Sequence, residues 1–349
     1  MKYNNIYIEN VATCLPPHVI SSEEIEKALA PVYEKLNLSP GRLELFTGIK
    51  ERRAWPAGTK PSEVSSKAGK IVMEETGVLP EEIDCLIHSS VCRDFLEPAT
   101  ASVVHSNLKL RPGAVNFDIS NACLGMMTGI TLLADMIEAG RIKRGLVVSG
   151  EIGFPLLKST VKTLVEQEKL TRKELKPHFA SLTIGSASSA ILVCHESVKK
   201  TRGHQLLGYT DHSATEFNYL CQGNSDRGMS DESAPQMHTD SEELLKKGIE
   251  AAKVCWKNFT EEMNWNEEDI DKTCSHQVGT AHRNLLYKSL GIDINKDFTT
   301  FDKLGNCGSS SLPLTMAMAE EEGHLKEGDN VSLLAIGSGI NVCLLAVKW

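Results

Sequence analysis

Apolar positions along the chain alternate between short unbroken runs and stripes of helical period. The run IYIENVATCLP from Ile6 reads as a strand ending at a Pro-Pro turn, and Ser21-Ser22-Glu23-Glu24 then carries the capping chemistry that opens a helix. Ala68, Ile71 and Val72 recur on one face between Pro61 and Glu75, and Gly77 and Pro80 lead to Cys85-Leu86-Ile87-His88, which has the length and content of a buried strand. In AVNFDISNACLGMMTGITLLADMIEAG, from Ala114 to Gly140, an extended run turns through Asn121-Ala122-Cys123 into a long small-residue helix. GRIKRGLVVSGE adds a turn and another apolar strand, and LTIGSASSAILVCHE a third. Between these two, Leu156 to Phe179 is rich in Lys, Glu, Thr and Leu, the composition of amphipathic surface helices forming a cap. Asp211 to Gln236 is polar and long for a loop, which predicts a functional excursion. A capping box at Asp240 to Glu243 then opens a helix with Leu244, Leu245, Ile249, Ala252 and Trp256 along one face.

The chain also repeats itself. FDISNAC at 117–123 is answered by FDKLGNC at 301–307, and GRIKRG at 140–145 by GHLKEG at 323–328, offsets of 184 and 183 residues. Each half is therefore expected to hold the same strand–helix–strand unit, with the apolar runs around Val147 and Leu333 as corresponding strands. Parallel strands need crossover helices, so stacking the halves buries both central helices between sheets and turns their starts towards each other. Cys123 opens one and the Asn306-Cys307 turn opens the other.

Composition narrows the partners. The 349 residues are 41% hydrophobic, enough for a large core in about two units of domain size. A formal charge of −9 without long basic runs argues against nucleic acid. MKYNNIYIEN has no apolar core of signal-peptide length, and no stretch reaches the roughly 18 apolar residues of a membrane span, so an integral membrane segment is not expected and the cytoplasm is. Ten cysteines form no CxxC pair, which in a reducing compartment argues against a disulfide framework and a zinc ribbon.

Among the candidates for chemistry, Cys123 comes first. A cysteine in the first turn of a helix meets unpaired N–H groups and the positive end of the helix dipole, which favour the thiolate. Gly125, Thr128, Gly129 and Ala134 let the helix sit deep, placing the sulfur at the floor of a tunnel. A buried structural cysteine is the competing reading. Arg52 and Arg53 lie in a basic segment and either meet ligand phosphates or neutralise carboxylates. Arg93, Asp94 and Glu97 follow the strand at Cys85–His88, at the carboxyl end where open α/β sheets place ligands. His276, in SHQVGTAH, sits at the end of a further strand. Thiolate, imidazole and carboxamide together make an acyl-transfer site, with the cysteine as nucleophile and His and Asn as oxyanion donors.

NAC at 121–123, HQ at 276–277, GNCGSSSLP at 305–313 and IGSGIN at 336–341 stand in the order found in the thiolase superfamily, and the chain resembles its ketoacyl synthase III group over nearly the whole length. The resemblance implies a thiolase-like five-layered αβαβα fold, an α/β architecture of two pseudo-duplicated halves, 1–190 with a cap at about 154–180 and 191–349. It implies a homodimer, acylation of Cys123 by a thioester and Claisen condensation, with His276 and Asn306 holding an enolate oxygen. Backbone N–H groups of Cys123 and Ser338 would form a second oxyanion hole. No cofactor or metal is implied, since acyl-CoA or acyl carrier protein enters as substrate carrier; carrier protein and downstream lipid-pathway enzymes are the further partners. Positions of the group's adenine-stacking tryptophan and nearby arginine hold Arg42 and Phe46, and the loop phenylalanine before a proline is Glu97. SVCRDFLEPATAS, HSATEFNYLCQGNSDR and the closing AVKW match the branch that condenses two acyl-CoAs head to head. There the matching glutamate, delivered across the dimer, removes the α proton of the second chain. The alternatives are a decarboxylating synthase using malonyl carrier protein and a non-catalytic subunit of a heterodimeric synthase.

Overall fold

The computed structural model describes residues 1–223 and 235–349. β1 (Ile6–Cys14) and β2 (His18–Ser21) precede three short helices, α1 (Ser22–Ala28), α2 (Ala30–Lys35) and α3 (Arg42–Thr47), and β3 (Glu51–Ala54) pairs back on β2. The first alternation runs α4 (Pro61–Thr76), β4 (Cys85–His88), α5 (Thr100–Asn107), β5 (Val115–Asp118), α6 (Gly125–Glu138), β6 (Arg144–Glu151). The cap is α7 (Phe154–Glu166) and α8 (Arg172–Leu175), followed by β7 (Ala187–His195), β8 (His204–Ser213), β9 (Cys221–Gly223) and β10 (Met237–Thr239). The second alternation is α9 (Ser241–Met263), β11 (Lys272–Ser275), α10 (Thr280–Leu290), α11 (Phe301–Leu304), α12 (Ser311–Glu321), β12 (Asn330–Gly337) and β13 (Asn341–Lys348).

Helix ends follow local chemistry. Ser21 forms a complete capping box with Glu24, and Gly77 at φ 66 closes α4. At α9 only half of the expected box forms: Asp240 accepts from the Glu243 N–H at 3.1 Å, and Glu243 does not reciprocate. Of the excursion expected over 211–236, residues 211–213 continue β8, Thr215–Leu220 is a 3-10 turn and Cys221–Gly223 is β9. Residues 224–234, which include the end of the HSATEFNYLCQGNSDR match, lie outside the described residues.

Strand order shows the duplication directly. β5-β4-β6-β7-β1 forms one half of the sheet, with β4 parallel to β5 and β6, and β6 antiparallel to β7. β11-β12-β13-β8 repeats that order, with β11 parallel to β12 and β12 antiparallel to β13. The strand that would answer β5 is reduced to a single parallel bridge between Thr273 and Asp297, so FDKL is the helical turn α11 and not the strand its likeness to FDIS predicts. The halves join through the Tyr7–Gln205 and Ile8–His204 pairs of β1 and β8. Residue 190 falls inside β7, which pairs along its length with β6 and β1, so the first half ends after His195.

Three packed cores order the layers. α4 and α5 cover one face of the first half through Val72, Met73 and Val104 against Leu86, Leu146 and Leu192. α6 and α12 lie between the halves, where Ile130, Leu133 and Met316 meet Ile87 and Val147 on one side and Leu333 and Leu345 on the other. α9 and α10 cover the far face with Ile249, Phe259 and Leu286 against Leu334, Val342 and Leu344. Helix, sheet, helix, sheet, helix is the expected five-layered order. The cap packs Leu157, Leu164 and Leu182 on Ile25, Leu29, Val32 and Leu43, a separate lobe above the carboxyl ends of the strands.

Candidate active site

Cys123 stands in a 3-10 turn, Ala122–Leu124, between β5 and α6. Ala122 adopts φ 44, a left-handed conformation costing an alanine about 1–2 kcal/mol, so the surroundings must hold it. Asn121 does part of this by donating to Thr128 Oγ1 at 2.9 Å and accepting from Asn341 Nδ2 at 3.1 Å, which ties the turn to the start of β13. Gly337 closes from that side, since a Cβ there would lie 2.3 Å from Leu124 Cδ1 and 3.4 Å from the Cys123 nitrogen. The helix starts do face each other: Ser309 Oγ accepts from the Met126 N–H at 3.0 Å and donates to Ser89 O at 2.7 Å.

Cys123, His276, Asn306 and Ser338 line one cavity of about 690 Å³, whose walls include Phe46, Val91, Leu156, Phe179, Met237 and Leu244. His276 follows β11, its N–H donating to Leu334 O at 2.8 Å, and its buried Nδ1 has no hydrogen-bond partner among the described residues. Burial lowers its pKa to about 3, with His282 pushing the same way, so the imidazole is neutral at pH 7. Asn306 is fixed by its backbone, accepting from Gly185 N at 2.8 Å and donating to Thr183 O at 2.9 Å. Its Oδ1 accepts from the Gly308 N–H at 3.0 Å, which leaves the NH2 end as the donor available to the cavity. Gln277 serves the same segment from behind: its Oε1 accepts from Thr300 N at 2.8 Å and Phe301 N at 3.2 Å, capping α11 just ahead of Asn306.

Three expectations change. The Cys123 thiol is not lowered by the helix start but pushed up to about 12, because burial outweighs the dipole and Glu151 adds its negative charge. Arg52 is too deeply buried to reach a ligand phosphate and has no carboxylate partner among the described residues. It is 1% exposed and outside the cavity lining, donating to Ser22 Oγ at 2.9 Å and Leu182 O at 3.0 Å, with burial lowering its pKa to about 10. Arg53 is also outside the lining, and its buried Nε has no partner among the described residues. Arg52 thereby ties the cap residue Leu182 to Ser22 of α1.

Glu97 is exposed on the loop between β4 and α5 and does not line the cavity of its own chain. The loop root is clamped, Asp94 accepting from Ser62 N at 2.8 Å and Oγ at 2.5 Å. Around it Val91, Phe95, Leu96 and the edge-strand residue Val115 are exposed, a run of large apolar side chains. Two cavity residues escaped the sequence reading: Glu151, the last residue of the wholly buried β6, and His282, on the first turns of α10, held neutral by burial. Glu151 carried a faint signal, a carboxylate closing the apolar strand of GLVVSGE. Among the described residues no helix is long and apolar enough to cross a membrane.

Family models for 3-oxoacyl-[acyl-carrier-protein] synthase III match residues 117–160, and for its C-terminal part residues 260–349. An acyl-CoA:acyl-CoA alkyltransferase of Shewanella oneidensis is 40% identical over 351 residues, covering all of both chains. A β-ketoacyl-[acyl-carrier-protein] synthase III of Clostridium tetani is 28% identical over 361 residues, again over both full lengths. Among solved structures, OleA of Xanthomonas campestris, in a cysteine-to-serine variant with bound lauric acid and lauroyl-CoA, superposes with a TM-score of 0.92 at 33% identity, covering 99% of this chain and 100% of that one.

Proposed function

The chain belongs to the acyl-CoA:acyl-CoA alkyltransferase branch of the 3-oxoacyl synthase III family, and from that premise we propose that it joins two acyl-CoA molecules head to head through an acyl-Cys123 intermediate. One acyl-CoA transfers its acyl group to Cys123 and leaves as CoA. The α carbon of a second loses a proton, and the resulting enolate attacks the acyl-Cys123 carbonyl, expelling the thiolate. The product is a β-ketoacyl-CoA, and water then releases a 2-alkyl-3-keto acid. No carboxyl group is lost.

Each polar group has a task in that sequence. The neutral His276 ring and the Asn306 NH2 serve as donors to the enolate oxygen, and backbone N–H groups of Cys123 and Ser338 as donors to the thioester oxygen. Glu97 is the base, delivered by a second copy of the chain, because it stands outside its own cavity beside exposed Val91, Phe95 and Leu96 that a homodimer would cover. The cavity carries the reading. Its walls are apolar, and no lysine or arginine among the described residues lines it to neutralise a malonyl carboxylate.

Product analysis separates the two chemistries. Lauroyl-CoA alone is expected to yield a product containing both chains with no carbon dioxide. A product formed only when malonyl-CoA or a malonyl carrier protein is added would refute the proposal in favour of the decarboxylating synthase.

A further inference from the structure

Most glycines in the cavity wall are required by the backbone around them. A Cβ would lie 2.1 Å from Gly185 O at Gly153, 2.0 Å from Leu304 O at Gly185 and 2.3 Å from Leu124 Cδ1 at Gly337, while Gly279 and Gly308 hold φ 149 and φ 56. Gly248 has neither reason. It is buried inside the long helix α9, about two turns from its start, and its φ is not positive. Among the described residues a Cβ there would meet only Ile336 Cγ2, at 3.6 Å, an ordinary contact. An interior glycine weakens a helix relative to alanine, so this position gives up stability for something other than conformation or packing. Ser241, Leu244, Leu245 and Gly248 share one face of α9 and all line the cavity; Ala252, the next residue of that face, is buried core outside the lining.

We propose that Gly248 sets the length of acyl chain the enzyme accepts, by leaving the inner end of the α9 wall open to the tail of the chain carried on Cys123. The lining runs from Cys123 past Gly337 and Ile336, at the end of β12, to Gly248. A linear saturated tail offers no hydrogen bond, so an apolar wall selects it by the space it leaves, and one methylene in such a pocket is worth about tenfold or more. Side chains on a helix lean towards its N-terminus, so one added at 248 would lie over Leu244 and Leu245 and fill the cavity rather than the core behind it. The inference rests on the acyl-Cys123 reading above.

Two measurements on the full chain test this. Single-turnover acylation of Cys123 by palmitoyl-CoA and by octanoyl-CoA, read by intact-protein mass spectrometry, gives a ratio of rate constants; equilibrium dialysis of radiolabelled palmitate and octanoate gives a ratio of affinities without any chemistry. Gly248→Ala is expected to lower both long-to-short ratios about tenfold, and Gly248→Leu at least about 100-fold. Gly248→Ala should also melt about 1–2 °C higher than wild type, since alanine is the better helix former. Unchanged ratios in a folded Gly248→Leu protein, or in Gly248→Ala where the leucine variant does not fold, overturn the proposal. A Gly248→Ala protein that melts below wild type also overturns it, because the glycine is then kept for packing. Affinity ratios that shift as expected, in a protein whose Cys123 no acyl-CoA acylates, support the length limit and refute the acyl-Cys123 reading instead. A wild-type protein that neither binds the acids nor is acylated overturns both.

Discussion

Gly185 shows how closely backbone segments are stacked beneath the carboxamide donor. Its N–H holds Asn306 O at 2.8 Å, and a Cβ added to it would lie 2.0 Å from Leu304 O and 3.2 Å from Cys307 Sγ. Ordinary contact begins at 3.4 Å, so Gly185→Ala requires an opening of 3.4 − 2.0 = 1.4 Å between two stretches of main chain, neither of which can rotate aside. Overpacking of this kind costs about 1–3 kcal/mol, and a shift of about 1 Å at a positioned catalytic group costs on the order of 100-fold in rate. The clash falls on the segment that carries Asn306 and does not touch the Cys123 turn. Condensation of lauroyl-CoA should therefore drop about 100-fold while single-turnover acylation of Cys123, followed by intact-protein mass spectrometry, stays within a few-fold of wild type. The melting temperature should fall by a few degrees. A stable Gly185→Ala enzyme with undiminished condensation would refute the reasoning, as would equal loss in both half-reactions.

His276→Ala and Asn306→Ala should each lower condensation by roughly 10²–10³, the usual loss for one oxyanion donor, with Cys123 acylation surviving better; equal loss in both steps would sink their role as enolate holders. Glu97→Gln, close in shape but unable to take a proton, should acylate Cys123 normally and fail to condense two acyl-CoAs, whereas full condensation would remove Glu97 from the mechanism. Acid sensitivity follows from three buried histidines, His88, His204 and His276, and the half-buried His282. His88, His204 and His282 are lowered from 6.5 to about 4 and His276 to about 3. The unfolded chain takes up these protons below pH 6.5 while the folded one does not, so stability is complete above that value and lost as pH falls towards the folded pKa. Each should cost about 2 kcal/mol at about pH 5 relative to pH 8, read from urea midpoints; an unchanged midpoint across that range would contradict the buried neutral state.

Much of the architecture was legible because local and global signals agree. Apolar runs mark β4, β6 and β12, and the Ser21–Glu24 box starts α1 where the residues promise it. The repeat alone brings the starts of α6 and α12 together. What stayed hidden depends on distant partners. FDKL copies FDIS in letters but becomes helix, because Gln277 in another segment caps the N–H groups of Thr300 and Phe301. The Cys123 thiol reads as activated from its helix start, and only the enclosing cavity and the Glu151 charge reverse that. Arg52 reads as either a phosphate ligand or a neutraliser of carboxylates until the cap lobe closes over it, and Glu151 belongs to no motif, so its place in the cavity lining with Cys123 emerges only when β6 is set in the sheet.

Everything proposed for the reaction passes through one sulfur. Cys307 occupies the matching turn of the second half, buried and outside the cavity lining, and so provides an internal control. Brief exposure to lauroyl-CoA, acid quenching and peptide mass mapping should find the acyl group on Cys123, none on Cys307, and no adduct in a folded Cys123→Ala protein. An acyl group on any other cysteine, or turnover that persists in Cys123→Ala, would contradict the account.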